Sequence, residues 1–166
     1  SAARIVDLAR TAQHRDLVIL AHNGPLGLSR EAGDIWGKDF GKPGGDWGDR
    51  DLAVAIQRIV EMGLRVQMVV AGHMHHELIH PQGSLRRRFM RRSGTLYVNP
   101  AVVPRVRESA AGSTESYFVR TRWVEGRCSA VEEVWVDMQG IERATVARFE
   151  EAASLPAGGI PDEGAE

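Results

Sequence analysis

The sequence predicts an α/β fold, a layered sheet with antiparallel strands at its end. Three observations carry that prediction. Two apolar runs of strand length, "DLVILAH" (16–22) and "RVQMVVAG" (65–72), each end at a turn and have the continuous apolar character of strands covered on both faces. Between them, "DRDLAVAIQRIVEMG" (49–63) repeats apolar residues at helical spacing. Further on, "ESYFVRTRWV" (115–124) and "CSAVEEVWVD" (128–137) alternate apolar and polar residues, the period of half-buried strands.

In chain order, "SAARIVDLARTAQ" places Ile5, Leu8 and Ala12 at helical spacing with Ser1 available as N-cap, which predicts a short helix. The strand 16–22 follows. Residues 23–49 are rich in glycine and carry Asp34, Asp46, Asp49, Trp36 and Trp47; this is too long for a plain connector and predicts a functional loop with short ordered pieces. In the next helix Leu52, Ile56, Ile59 and Val60 form the apolar face, Asp49 is the cap and Gly63 stands at the C′ position. "TLYVNPAVVP" (95–104) reads as a strand broken at Pro100, and Glu125-Gly126 as the tight turn of a terminal hairpin, with glycine supplying positive φ. The end, "SLPAGGIPDEGAE", has nothing to bury and is expected to be disordered from about residue 152.

The chain has 166 residues, the size of one domain, and 43% hydrophobic content. Lys+Arg (21) balance Asp+Glu (22), so no global charge points to nucleic acid or membrane. No apolar stretch reaches the roughly 18 residues of a membrane helix. A lone cysteine, Cys128, reads as a small apolar residue and favours a reducing compartment. The chain begins with Ser rather than Met and reads like a piece of a longer product.

Four of the six histidines fall within "VVAGHMHHELIH" (69–80). His73 and His75, two apart in extended chain, point to one side, with Met74 opposite. His22 ends the first strand in the same way. If the two strands are parallel neighbours, His22, His73 and His75 converge at one sheet edge, where open α/β sheets place ligands, and neutral imidazole is a common metal ligand. The alternative is three histidines that hydrogen-bond loop backbone and stabilise the edge.

"LVILAHNGP", "MVVAGHMHHE" and "LYVNPAVVPR" together resemble the second half of a calcineurin-like metallophosphoesterase, with His22 as the isolated histidine after a strand and Gly72-His73-Met74-His75 as the G-H-x-H block. "HNGPLGL" and "GGDWGD" are most similar to a cyanobacterial and plastid branch. The resemblance implies an αββα-type sandwich, here only its carboxyl-terminal half, ending in an antiparallel hairpin. It places residues 1–140 in the phosphoesterase domain and 141–166 in a carboxyl-terminal extension. It implies that His22 and His73 ligate one metal and His75 another, the ions being Mn, Fe or Zn. It further implies hydrolysis of a phosphorylated small molecule or nucleotide, in the cytoplasm or plastid stroma, because two cations about 3.5–4 Å apart clamp a phosphate and activate water.

The D-x-H, G-D-x-x-D and G-N-H blocks of that family are absent before His22, where Asp7, His14 and Asp16 have the wrong spacing. No catalytic residue is therefore assigned. Three imidazoles without a bridging carboxylate are expected to hold at most one ion, and the chain to be a truncated, poorly active piece exposing an apolar strand edge. Two other readings stay open: a non-catalytic metal-binding or interaction domain that keeps the histidines, and a basic RNA-binding fragment acting through Arg86–Arg92 ("RRRFMRR"), a run otherwise read as a solvated connection. Among the remaining residues, His76 is expected at the surface or just outside the metal ligands, Glu77 as an acceptor for an imidazole, and Trp123 and Trp135 on the hairpin's packed face.

Overall fold

The computed structural model describes residues 1–150. The expected disorder from about residue 152 therefore lies outside the described residues. The order is α1 (Ala2–Arg10), β1 (Asp16–Ala21), α2 (Arg50–Glu61), β2 (Arg65–Ala71), β3 (Phe89–Arg92), β4 (Thr95–Val98), β5 (Val106–Glu108), β6 (Thr114–Val124), β7 (Arg127–Asp137) and β8 (Glu142–Glu150). One four-stranded sheet runs β1-β2-β4-β3 and a second runs β5-β6-β7-β8. In the first, β1, β2 and β4 are parallel and β3 returns antiparallel to β4. The second is antiparallel throughout. Among the described residues the fold is mixed α/β with two helices and two sheets.

The core explains why β2 is apolar on both sides. Val66, Val69 and Ala71 pack with Val6 and Ala9 of α1 and with Leu52, Ala55 and Ile59 of α2. Met68 instead joins Leu96 and Val98 of β4 and Cys128 and Val131 of β7. The strand is thus covered by helices on one face and by the second sheet on the other, so neither face tolerates the polar alternation of a half-exposed strand. A register shift against Leu17 and Val18 lets Val66 and Val69 reach the same face.

β1 departs from the expectation of a buried strand. Leu17, Ile19 and Ala21 pack against the helical core, while Val18 and Leu20 remain 49% and 77% exposed. β1 is the sheet edge, and the second sheet does not cover these residues. The expected exposed apolar edge is therefore present.

Both helices differ from their forecasts in which residues they bury. α1 stops at Arg10, buries Val6 and Ala9, and exposes Leu8; Ser1 precedes it without a side-chain cap bond. In α2 the buried set is Leu52, Ala55 and Ile59, spaced three and four apart, while Val60 faces outward. Asp49 caps α2 through the N–H of Asp51, and Gly63 takes φ +79 just past the helix end, as expected.

The terminal hairpin forms with both turn residues at positive φ, Glu125 at 49° and Gly126 at 75°, the pattern of a type I′ turn. A third strand follows. β8 pairs along β7 because it offers Arg148 to Glu132 (2.7 Å), Glu142 to Arg120 (2.7 Å) and Phe149 to the inter-sheet core. Residues 142–150 therefore belong to the sheet. Trp135 is buried beside Tyr117, with Arg107 4.0 Å from its ring centre, whereas Trp123 is 38% exposed.

The arginine run is only partly solvated: Arg87, Arg91 and Arg92 are exposed, as a solvated connection requires, whereas Arg86 is buried and Arg88 half-buried, which corrects that reading at these two positions. Arg86 is buried and donates to the carbonyls of His75, Ala32, Asp34 and Gly37, with Asp39 as its ion-pair partner. Arg88 pairs with buried Glu133, Arg91 lies over the Phe149 ring, and Arg92 donates to the Gly27 carbonyl.

Candidate metal centre

Strand register brings the histidines together. Ala21 of β1 is level with Ala71 of β2, so the residues that follow each strand emerge side by side at the carboxyl edge of the parallel sheet. His22 leaves β1 directly. His73 leaves β2 after Gly72 and holds φ at +66°, a left-handed conformation that costs a non-glycine residue about 1–3 kcal/mol and is tolerated where the surroundings enforce it. Nε2 of His22 lies 3.0 Å from Nδ1 of His73, with ring centres 4.8 Å apart. Burial, then the neighbouring His22 and His75, lower the pKa of His73, so its imidazole is neutral near pH 7 and one ring donates to the other.

His75 lines the same cleft, of about 450 Å³, but does not complete a cluster. Among the described residues no three His, Cys, Asp or Glu side chains gather into a metal-holding group. The structure thus joins His22 to His73 by direct contact and places His75 in the lining of the same cleft. Two nitrogens that each sit about 2.0–2.1 Å from a shared zinc are separated by roughly 3–3.4 Å. The 3.0 Å separation has that length, although here the two nitrogens share a hydrogen bond, which a cation would have to displace. Among the described residues no carboxylate lines the cleft to bridge a second cation.

The segment carrying these rings is braced from behind. From Met74 to Leu78 the chain alternates buried and exposed residues, so His75 and Glu77 face out while Met74, His76 and Leu78 face in. Fully buried Asn99 donates to the carbonyls of Met74 (2.8 Å) and Ile35 (2.9 Å) and accepts from Ala101 N–H. His76 N–H donates to Ala101 O, and its ring nitrogen lies 2.7 Å from Asn99 O. Burial holds His76 near a pKa of about 4, so it is neutral. Buried Glu133 stands 3.8 Å away. Its pKa is raised by burial, with Arg88 opposing.

His76, expected at the surface or just outside the metal ligands, is not at the surface but buried as a brace of this segment, and Glu77 faces solvent without an imidazole partner among the described residues. Trp36 is wholly buried and its indole N–H reaches the carbonyls of Ala71 and Gly72, while Trp47 stays half exposed against Phe40. The loop acids serve the loop. Asp46 accepts from the N–H groups of Gly27, Ser29 and Gly48, Asp34 from Arg30 and Glu31, and Asp49 caps α2.

Asn99, Arg86 and His76 hold this site in shape; the sequence singled out Arg86 and His76 without indicating that either is buried. No helix among the described residues is long and apolar enough to cross a membrane. No model of a known protein family matches the chain, and no curated protein matches it.

Proposed function

We propose that this chain is the histidine-bearing part of a metal-dependent phosphoesterase. In this reading His22 and His73 hold one divalent ion (Mn, Fe or Zn), with His75 in the lining of the same cleft. The observation that carries it is the 3.0 Å approach of two imidazole nitrogens across neighbouring parallel strands. An ion held there supplies charge to neutralise phosphate oxygens. His22 and His73 orient it, while Asn99 and Trp36 fix the backbone from which His73 and His75 project. The substrate class is a phosphorylated small molecule or nucleotide, and an αββα-type sandwich is part of the same proposal. A reducing compartment, the cytoplasm or a plastid stroma, suits the single buried cysteine.

A second reading is favoured by one specific feature. The two rings already satisfy each other, and among the described residues no carboxylate lines their cleft, so in this reading the pair is a clasp at the sheet edge of a non-catalytic domain. Dialysis against zinc or manganese followed by elemental analysis separates the two. The metal reading expects about one ion per chain, lost in His22→Ala and in His73→Ala, with negligible turnover of p-nitrophenyl phosphate. Equal metal content in all three proteins, or none in any, supports the clasp.

A further inference from the structure

The cleft beside the histidines has one feature that the metal reading does not use. Arg105 lines it together with His22, His73 and His75. Its side chain is exposed and has no ion pair or hydrogen bond among the described residues. The contrast with Arg107, two residues later, is direct: that guanidinium is engaged by Glu115 at 2.8 Å and by the Trp135 ring. The Arg105 backbone is fixed, because its carbonyl accepts the Tyr117 N–H at 2.9 Å. A permanent cation on a held backbone therefore lines a cleft that, among the described residues, has no carboxylate. Leu20 and Val103, 77% and 62% exposed, form an apolar wall of the same cleft. Its volume of about 450 Å³ falls within the roughly 300–1,000 Å³ of small-ligand sites.

We infer that Arg105 is the anion-recognising residue of this cleft, and that its ligand is a small phosphomonoester carrying an apolar group. The guanidinium offers two parallel N–H donors to two phosphate oxygens. The imidazole edge faces the same phosphate, and Leu20 and Val103 cover the organic part. This deepens the proposed function and rests on it for the place of the reacting phosphate, but the anion contact itself does not require a metal.

The test uses the full chain in chelator, with inorganic phosphate and phenyl phosphate as probes, followed by amide chemical-shift titration. Both probes are expected to shift resonances of Gly72, His73 and Arg105. Arg105→Gln is expected to weaken both probes about tenfold or more, as loss of a charge-assisted pair does, with Arg105→Lys falling between. Leu20→Asn, at an exposed position, is expected to weaken phenyl phosphate and leave inorganic phosphate unchanged. Affinity for inorganic phosphate within about twofold of wild type in Arg105→Gln overturns the inference, as do shifts confined to a different face. Zinc retention measured on the same proteins separates the two readings. Retained zinc with Arg105-indifferent phosphate binding removes the anion site alone. Arg105-dependent phosphate binding without zinc retention removes the metal and leaves the anion site.

Discussion

The indole nitrogen of Trp36 lies 3.2 Å from the carbonyl oxygen of Gly72 and 3.2 Å from that of Ala71. A residue of the long loop therefore pins the backbone immediately before His73, which holds positive φ beside His22. Gly24 admits this: a Cβ there would stand 2.0 Å from the Trp36 ring. Trp36→Phe keeps most of the packing but leaves two buried carbonyls without their donor, an expected loss of about 1–3 kcal/mol in urea unfolding. Gly24→Ala is expected to destabilise comparably by displacing the ring. A Trp36→Phe protein as stable as wild type would show that the loop does not brace the edge.

Arg86 gives a sharper mutational expectation. Its guanidinium serves four carbonyls and Asp39 from a fully buried position. Removing it leaves Asp39, itself buried, without its cation. Arg86→Ala is expected to cost about 3–5 kcal/mol. Arg86→Lys is expected to recover little, because an ammonium cannot span the same fork of acceptors. Chemical denaturation of the two variants checks both halves of this statement, and full rescue by lysine contradicts the second.

Much of the frame was legible in the sequence, for stated reasons. β2 announced itself because it is covered on both faces, and α2 because Asp49 and Gly63 mark its ends. The meeting of His22 with His73 followed from two strands ending alike, since parallel pairing turns sequence similarity into spatial adjacency. What escaped was decided by tertiary context. Whether Val18 and Leu20 are covered depends on how far the second sheet extends, which no local pattern encodes. The arginine run looked like a solvated patch, yet carbonyls from residues about fifty positions earlier, together with Asp39, make Arg86 an interior residue. β8 is held largely by cross-strand ion pairs, so its sequence shows little apolar alternation. His75 shares the outward direction of His73 and lines the same cleft.

A pH dependence follows at the other end of the first sheet. Asp16 at the start of β1 accepts from Arg65 and Gln67, and the Arg65 contact first, then Gln67, hold its pKa down to about 2 from an ordinary 3.8. Because the folded value is the lower one, the unfolded chain takes up the proton first as pH falls. The tie is complete above pH 3.8 and is lost progressively as the pH drops towards about 2. Arg65→Met is therefore expected to lower stability at pH 6 and to match wild type near pH 2. A stability difference that stays constant across that range would remove the ion pair from the account.

The hairpin turn offers a stabilising change. Glu125 holds φ at 49° ahead of Gly126, a conformation that an ordinary side chain adopts at a cost and that asparagine tolerates better. Glu125→Asn is expected to raise stability by about 1 kcal/mol, readable as an increase in the urea midpoint at unchanged slope. A lowered midpoint would mean that Glu125 makes a compensating contact in solution.

The central claim is that rings from two neighbouring strands share one cation, and zinc K-edge X-ray absorption of the zinc-loaded chain measures it most directly. The account predicts at least two imidazole nitrogens at about 2.0–2.1 Å from the ion, with that contribution abolished in a His22→Ala/His73→Ala double variant. A spectrum without imidazole scattering, or one unchanged by the double substitution, would contradict it.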